Sequence, residues 1–160
     1  MTSDARFEDG TERPMRLRAE TEEDLTVIST LVQDALGQTG EASWMPKRRR
    51  FMMVLNRFRW EDAEFARRQG RAFERVRSLL TFDSVLGVKA SGLDPNDLEI
   101  VLSLLAISFE KTPDNGGTVR LVLAGDGEVA LAVECIDVTL TDVTRPYAAP
   151  SGHLPRHPDD

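Results

Sequence analysis

The stretch that decides the fold is Thr118–Val143, TVRLVLAGDGEVALAVECIDVTLTDV, in which two runs of β-forming residues flank a Gly-Asp-Gly step at 125–127. Glycine can take the positive φ that a tight turn needs, so this pattern predicts a β-hairpin. In the second run the apolar residues occupy odd positions up to Cys135 and even positions from Ile136 onward. Because side chains alternate strictly along a strand, this change of phase predicts a β-bulge or a corner near residues 134–136.

One amphipathic helix is predicted upstream of the strands. Thr21 is a typical N-cap, and Asp24 resembles the third-position acid of a capping box. Apolar residues then recur at helical spacing as far as Gly37, a residue type at which helices commonly end. The residues of this stripe are Leu25, Ile28, Leu31, Val32, Ala35 and Leu36. The helix is therefore expected to cover an apolar face of the strands.

The rest of the domain is predicted to be mainly β. Strands are expected at residues 15–19, 41–45, 50–60, 72–82, 84–91 and 99–110, in addition to those of the hairpin. Residues 99–110 fit either a strand or a helix by propensity, and their position between two turn signals favours a strand. Residues 61–71 are charged and predict a loop or a short exposed helical turn.

The predicted fold class is α+β. The N-terminal helix is expected to pack on a bent, mainly antiparallel sheet or a partly open β-barrel of about six to eight strands. Residues 15–144 would form this single domain. Residues 1–14 are predicted to be a disordered leader, and residues 145–160 a disordered, Pro-rich tail.

Composition narrows the classes of function. The chain has 160 residues and a net charge of -7, which argues against a general nucleic-acid binder or a membrane-surface protein. Its single cysteine, Cys135, excludes an intrachain disulfide and is expected to be buried. No apolar run is long enough to span a membrane, and the start of the chain is polar and acidic, unlike a signal peptide. The expected location is the cytoplasm.

The sequence contains no recognisable catalytic set. Both histidines, His153 and His157, lie in the predicted tail, where a general base would have no fixed position. Prolines beside them oppose the helix that a His-x-x-x-His metal site would need. Phosphate-binding glycine motifs are also absent from the sequence. We therefore expect no metal, no cofactor and no catalytic residue, and an enzymatic role is not favoured.

One local asymmetry is the basis of a binding hypothesis. Residues 41–80 carry eleven Lys or Arg and five Asp or Glu, a net charge of +6, with aromatic residues interleaved. Arginine with aromatic residues is typical of protein hot spots and of nucleic-acid surfaces. The alternative is a solvated face whose arginines pair with acidic residues. The candidate binding residues are Trp44, Lys47, Arg48, Arg49, Arg50, Arg57, Trp60, Arg75 and Arg77.

Several separate blocks of the chain resemble domain-of-unknown-function family 2948, a bacterial family. They are residues 44–51, NRFRWE at 56–61, RVRS at 75–78 with FDSV at 82–85, LSLLAI at 102–107 and VECI at 133–136. The resemblance runs from about Met15 to Val143. It implies a small cytoplasmic bacterial protein and brings no activity, cofactor or catalytic residue.

Three functional hypotheses remain open at the level of sequence. The first is a non-enzymatic binding or scaffold module for a protein partner, which uses the Arg/aromatic surface at 44–77. The second is a small-molecule or anion-binding domain, and possible enzyme, in which Arg57, Arg75 and Arg77 line a pocket for a small anionic ligand. The third is RNA binding by the same surface, which the acidic net charge disfavours. The apolar strand at 50–60 also allows a homodimer.

Overall fold

The computed structural model describes residues 14–149, which form two helices and one sheet of eleven strands. The helices are α1 (Glu22–Leu31) and α2 (Trp60–Gln69). The strands are β1 (Arg16–Ala19), β2 (Ala35–Gln38), β3 (Ala42–Met45), β4 (Arg50–Phe58), β5 (Glu74–Phe82), β6 (Val85–Ser91), β7 (Val101–Lys111), β8 (Gly117–Leu123), β9 (Glu128–Val133), β10 (Val138–Asp142) and β11 (Tyr147–Ala148). The α+β class is confirmed, but the described part of the chain has a second helix and more strands than predicted.

The two chain ends lie largely outside these residues. The predicted leader, 1–14, is outside them except for Pro14, and the predicted tail, 145–160, is outside them from residue 150 onward. Within residues 145–149, β11 pairs with β5, and the Ala149 N–H donates to the carbonyl of Phe73 at 2.7 Å.

The strands form one bent, unclosed sheet. Their order is β1-β10-β5-β4-β2-β7-β8-β9-β6, with β3 beside β4 and β11 beside β5. All of these pairings are antiparallel. The sheet bends so that side chains from β4, β5 and β10 meet those from β7, β8 and β9 in one apolar core. The core therefore lies between the two halves of the sheet.

The stretch Thr118–Val143 forms the predicted hairpin and corner. Strands β8 and β9 pair across a turn at Gly125, whose φ of 84° is one that glycine accommodates without strain. β9 ends at Val133, and β10 begins at Val138 in the other half of the sheet, between β1 and β5. The change of apolar phase marks this crossing, because each segment turns its own apolar face toward the shared core.

Helix α1 begins at the predicted cap. The Asp24 N–H donates to the Thr21 hydroxyl at 3.1 Å, and the Glu20 N–H donates to the Asp24 carboxylate at 3.3 Å. This reciprocal pair is a capping box, with Asp replacing the usual Glu. It confirms the predicted N-terminus of the helix.

The predicted C-terminus of the helix is wrong. α1 ends at Leu31, and Asp34 takes a left-handed φ of 62° before the chain enters β2. Gly37 lies inside β2 and does not end a helix. A Cβ at this position would lie 3.0 Å from the Val54 carbonyl oxygen, so glycine allows β2 and β4 to approach closely.

Helix α1 contacts β1 and β7, and its buried side chains join the core. The predicted strand at 99–110 is confirmed as β7, which carries a bulge between Leu104 and Ala106. Beyond the bulge, the Ile107 N–H donates to the Ser29 hydroxyl of α1 at 2.9 Å. The bulge therefore helps to fix the helix on the sheet.

Helix α2 occupies the segment that was predicted to be a loop or a short helical turn. It runs for ten residues and ends at Gly70, which has a left-handed φ of 66°. Its Asp62 and Ala66 are buried. The sequence of this segment shows no apolar stripe at helical spacing, because the buried side of the helix includes the Asp62 carboxylate. The helix could therefore not be predicted from hydrophobic periodicity.

Candidate functional site

The nine predicted binding residues do not form one surface. Three lie in the exposed turn between β3 and β4: Lys47, Arg48 and Arg49. Three lie on the face of β4 and β5 that points away from the core: Arg50, Arg75 and Arg77. Three others contribute to packing or to a buried polar cluster: Trp44, Arg57 and Trp60.

The turn between β3 and β4 is short and basic. Pro46–Arg48 form a 3₁₀ turn, and Arg49 follows with a left-handed φ of 53°. Arg49 Nη1 lies 2.6 Å from Glu134 Oε1, in an ion pair between two exposed side chains. Lys47 and Arg48 are exposed, and neither forms an ion pair with a residue in the described part of the chain. This turn therefore presents positive charge to solvent.

The outer face of β4 and β5 has an apolar middle. Val54 lies opposite Leu79, and Met52 lies opposite Thr81. All four are half-buried, whereas the residues that alternate with them on β4 and β5 are buried in the core. We call these four residues the outer strip.

Arginines bracket the outer strip at both ends. At one end Arg50 Nε donates to Asp83 at 2.7 Å. At the other end Arg77 Nη2 donates to Glu41 at 3.0 Å, and Arg75 is half-buried, which lowers its pKa. A strand rises roughly 3.4 Å per residue, so about 20 Å separates the two ends. The face therefore has an apolar centre and a rim that contains three arginines, two of which are ion-paired.

Arg57, one of the predicted binding residues, is not part of any surface. Its side chain is 0% exposed and lies on the core side, level with Val76. Its Nη2 donates to both carboxylate oxygens of Asp142 at 3.1 Å, and Nη1 and Nη2 each donate to Glu61 at 2.9 Å. Ser78 accepts from Arg57 Nε at 3.1 Å and donates to Asp142 at 2.7 Å. The guanidinium is therefore occupied by protein groups.

These contacts also fix the charge state of Arg57. Burial disfavours the cation, but hydrogen bonds and charge attraction from Glu61 and Asp142 outweigh it, so the pKa of Arg57 is raised. Arg75 and Arg77 lie on the opposite face of the sheet. These three arginines therefore cannot line the single anion pocket that the second hypothesis required.

The polar cluster continues along the start of α2. Arg59 is buried, pairs with Glu74, and lies 3.5 Å from Asp62 Oδ2. Arg71 donates to Asp62 Oδ1 at 2.6 Å, and this hydrogen bond raises the pKa of Arg71. Together these groups form the arginine–carboxylate network, whose members are Arg57, Arg59, Arg71, Glu61, Asp62, Glu74 and Asp142. The network fastens α2 to the ends of β4, β5 and β10.

Among the members of this network, only Arg57 was a predicted binding residue. The available signal was the alternation of Arg57 and Arg59 with aromatic residues just before the acidic pair Glu61-Asp62. Charged residues at core positions of an otherwise apolar strand indicate buried pairs, because a charge is rarely buried alone.

Both tryptophans serve packing. Trp44 lies opposite Phe51 across the β3–β4 pair and packs against the core. The Trp60 indole N–H donates to the Gln33 carbonyl at 3.0 Å, and its ring meets Phe58 edge-on with 4.7 Å between centroids. Neither ring is on the outer strip.

Four other sequence predictions concern Cys135, the two histidines, metal binding and membrane spans. Cys135 is exposed, so the prediction of a buried thiol is wrong; the residue lies in the connection between β9 and β10, outside both strands. His153 and His157 lie outside the described residues. Within residues 14–149, no group of three or more His, Cys, Asp or Glu side chains is arranged to hold a metal ion. Over the same residues, no helix is both long and apolar enough to cross a membrane.

A family model described as "Protein of unknown function (DUF2948)" matches residues 15–157 of the 160-residue chain. The chain belongs to this family. The DUF2948 match covers every described strand and helix, in agreement with the resemblance seen in the sequence. Comparisons with curated proteins and with solved structures find no match. Membership of DUF2948 assigns no activity.

Proposed function

We propose that this DUF2948 domain is a non-enzymatic binding module, and that a protein partner docks on the outer strip. The observation that carries the proposal is the apolar pair Val54 and Leu79, flanked by Met52, on the sheet face that points away from the core. In an antiparallel sheet with one solvated face, side chains on that face are usually polar. Half-exposed apolar side chains at the centre of such a face favour a partner that covers them.

The arginines support a protein as the partner. Protein interfaces combine an apolar centre with a polar rim, and arginine is enriched in them. Arg50 and Arg77 each hold one carboxylate in a partly exposed ion pair, and such pairs are worth at most about 1 kcal/mol. They can therefore exchange that carboxylate for one of the partner's. Lys47 and Arg48 add positive charge to the rim, so the expected partner presents an apolar patch with acidic groups around it.

The other partner classes fit this face less well. Single-stranded nucleic acid binds through several aromatic side chains on which bases stack, and none of the four outer-strip residues is aromatic. Tyr147, whose hydroxyl accepts from Asn56, is a single exposed ring opposite Arg75. The net charge of -7 also opposes nucleic acid. In a second copy of the chain the carboxylates Asp83 and Glu41 are already paired with Arg50 and Arg77, so a different partner with unpaired carboxylates would gain more from these arginines.

The test is a comparative pull-down from lysate of the source cells. The variant Arg50→Glu/Arg77→Glu reverses the rim charge. The matched control is Arg67→Glu/Arg68→Glu on α2, where both side chains are exposed and pair only weakly with Glu64. Each double variant changes the net charge by the same amount. We expect the rim variant to lose a partner that the wild type and the control both retain.

Three results discriminate among the alternatives. If all three proteins retain the same partners, docking on the outer strip is ruled out. If RNase removes the captured set, the partner is RNA or is bridged by it. If light scattering finds a dimer that the rim variant alone dissociates, the partner is a second copy.

We also propose that the domain acts in the cytoplasm of a bacterium. The single cysteine supports the compartment, and the resemblance to a bacterial family supports the source. Fractionation of source cells, with the protein detected by antibody, tests the location.

A further inference from the structure

A second feature lies on the opposite side of the sheet from the outer strip. A cavity of about 260 Å³ opens between the two halves of the sheet, beneath the segment that joins β6 to β7. Most of its lining is apolar and comes from β4, β6, β7, β9 and that segment. The main apolar residues are Phe51, Met53, Val88, Leu93, Leu102 and Val129. The core is therefore incompletely filled at this end.

The segment above the cavity is fastened in place. The Gly40 N–H donates to the Leu98 carbonyl at 2.7 Å, and the Thr39 hydroxyl donates to the Asp97 carbonyl at the same distance. At the other end Gly92 has a left-handed φ of 72°, and a Cβ there would lie 2.4 Å from a backbone oxygen of the β8–β9 turn. These contacts fix the segment that joins β6 to β7 above the cavity, so the cavity is a fixed feature of the fold.

Ala90 marks the opening. It lies opposite the buried Val129 across the β6–β9 pair, so its side chain is on the core side of the sheet. Nevertheless it is exposed, and it lines the cavity. Its neighbour Lys89 is exposed on the other face of the same strand. A small molecule can therefore reach the cavity past Ala90.

The charges at the opening select among possible ligands. Asp94 and Asp97 both line the cavity and are exposed, and Glu99 follows them closely in the chain. Among residues 14–149, the cavity lining contains no lysine or arginine. The Asp94 and Asp97 carboxylates accept the backbone N–H groups of Asn96 and Glu99, and their negative charge repels an anion. An anion inside the apolar space would also lose its hydration without gaining a cationic partner.

We propose that this cavity binds a compact apolar molecule that carries no negative charge. An apolar protein cavity of about 150 Å³ holds benzene, so this larger one takes roughly ten non-hydrogen atoms. Apolar walls supply the affinity through burial of the ligand, and the carboxylates at the entrance exclude fatty acids and other anions. The site is distinct from the outer strip and does not depend on it.

The test is an NMR titration with indole, with the methionine methyl groups labelled. Met53 lines the cavity, and its neighbour Met52 is on the outer strip, so the two methyl groups report on opposite faces. We expect a saturable shift of the Met53 methyl signal and no shift of Met52. Indole-3-acetate, the anionic analogue, should bind the wild type at least about tenfold more weakly.

Two variants locate the site. Ala90→Phe blocks the opening and should weaken indole binding by at least about tenfold, whereas Lys89→Phe should bind as the wild type does. Circular dichroism checks that both variants fold. The absence of a saturable Met53 shift in the wild type, up to the solubility limit of indole, would overturn the proposal. Equal affinity for indole and indole-3-acetate would overturn its charge selectivity.

Discussion

Replacing Arg57 with methionine tests the arginine–carboxylate network most severely. The guanidinium is fully buried, and Asp142, which it holds at 3.1 Å, is only 7% exposed. Methionine keeps much of the volume but leaves the buried Asp142 charge without its cation. The Ser78 hydroxyl and the Met15 backbone N–H still donate to its carboxylate. Removing one partner of a buried pair costs roughly 3–5 kcal/mol. For a chain of this size, that lowers Tm by roughly 6–20 °C.

The assay is urea unfolding followed by circular dichroism, on Arg57→Met, Asp142→Leu and the double variant. The double variant removes both charges, so we expect it to be more stable than Arg57→Met alone, by roughly 2 kcal/mol. Arg67→Met on the exposed side of α2 is the control and should change stability by less than about 0.5 kcal/mol. If Arg57→Met costs no more than this control, or if the two single changes simply add, the network does not stabilise the fold as described.

Three further predictions concern single positions. Gly37→Ala should lower the free energy of unfolding, measured with urea, by about 1–3 kcal/mol because its Cβ would crowd the Val54 carbonyl of β4. The control is Gly87→Ala, where nothing lies within 4 Å of an added Cβ, and it should change that free energy by less than about 0.5 kcal/mol. Thr112 donates to the Asp114 carboxylate at 2.6 Å and lowers the pKa of Asp114, so Thr112→Val should raise that pKa in a carboxyl-carbon NMR titration. Any stability that this carboxylate adds is present above its unfolded pKa and is lost as pH falls through the lower folded pKa. Cys135 should react with Ellman's reagent before denaturant is added, and a thiol protected until unfolding would contradict its exposed position.

The local signals in the sequence predicted much of the fold. The capping box at Thr21, the turn at Gly125 and the phase change before Ile136 each depend on neighbouring residues, and the structure contains all three features. These are cases in which backbone geometry and side-chain alternation leave few alternatives.

The misplaced elements depend on contacts distant in sequence. Helix α1 ends before the predicted residue because residues 35–38 pair with β4 and β7. Hydrophobic periodicity within the helix sequence carries no information about such a pairing. Gly37 resembles a helix stop in sequence, but its small size serves the approach of β4. Helix α2 was not predicted because part of its buried side is polar. Arginines from the end of β4 and from the segment before β5 pair with the carboxylates on that side.

The candidate site was only partly predictable for the same reason. Charge counting found the excess of arginine at residues 41–80, but it could not separate inward from outward positions. Arg57 and Arg59 alternate onto the core side, whereas Arg75 and Arg77 alternate onto the outer face. Only the register between β4 and β5 shows which arginines share a face with the apolar strip.

The most direct test of the proposed binding face uses neighbouring side chains that point in opposite directions. Met52 and Leu79 are on the outer strip, while Met53 and Leu80 face the core. With the partner identified by pull-down, methyl NMR of labelled methionine and leucine should show broadening or shifts at Met52 and Leu79 and little change at Met53 and Leu80. Partner binding that leaves Met52 and Leu79 unperturbed would contradict docking on the outer strip.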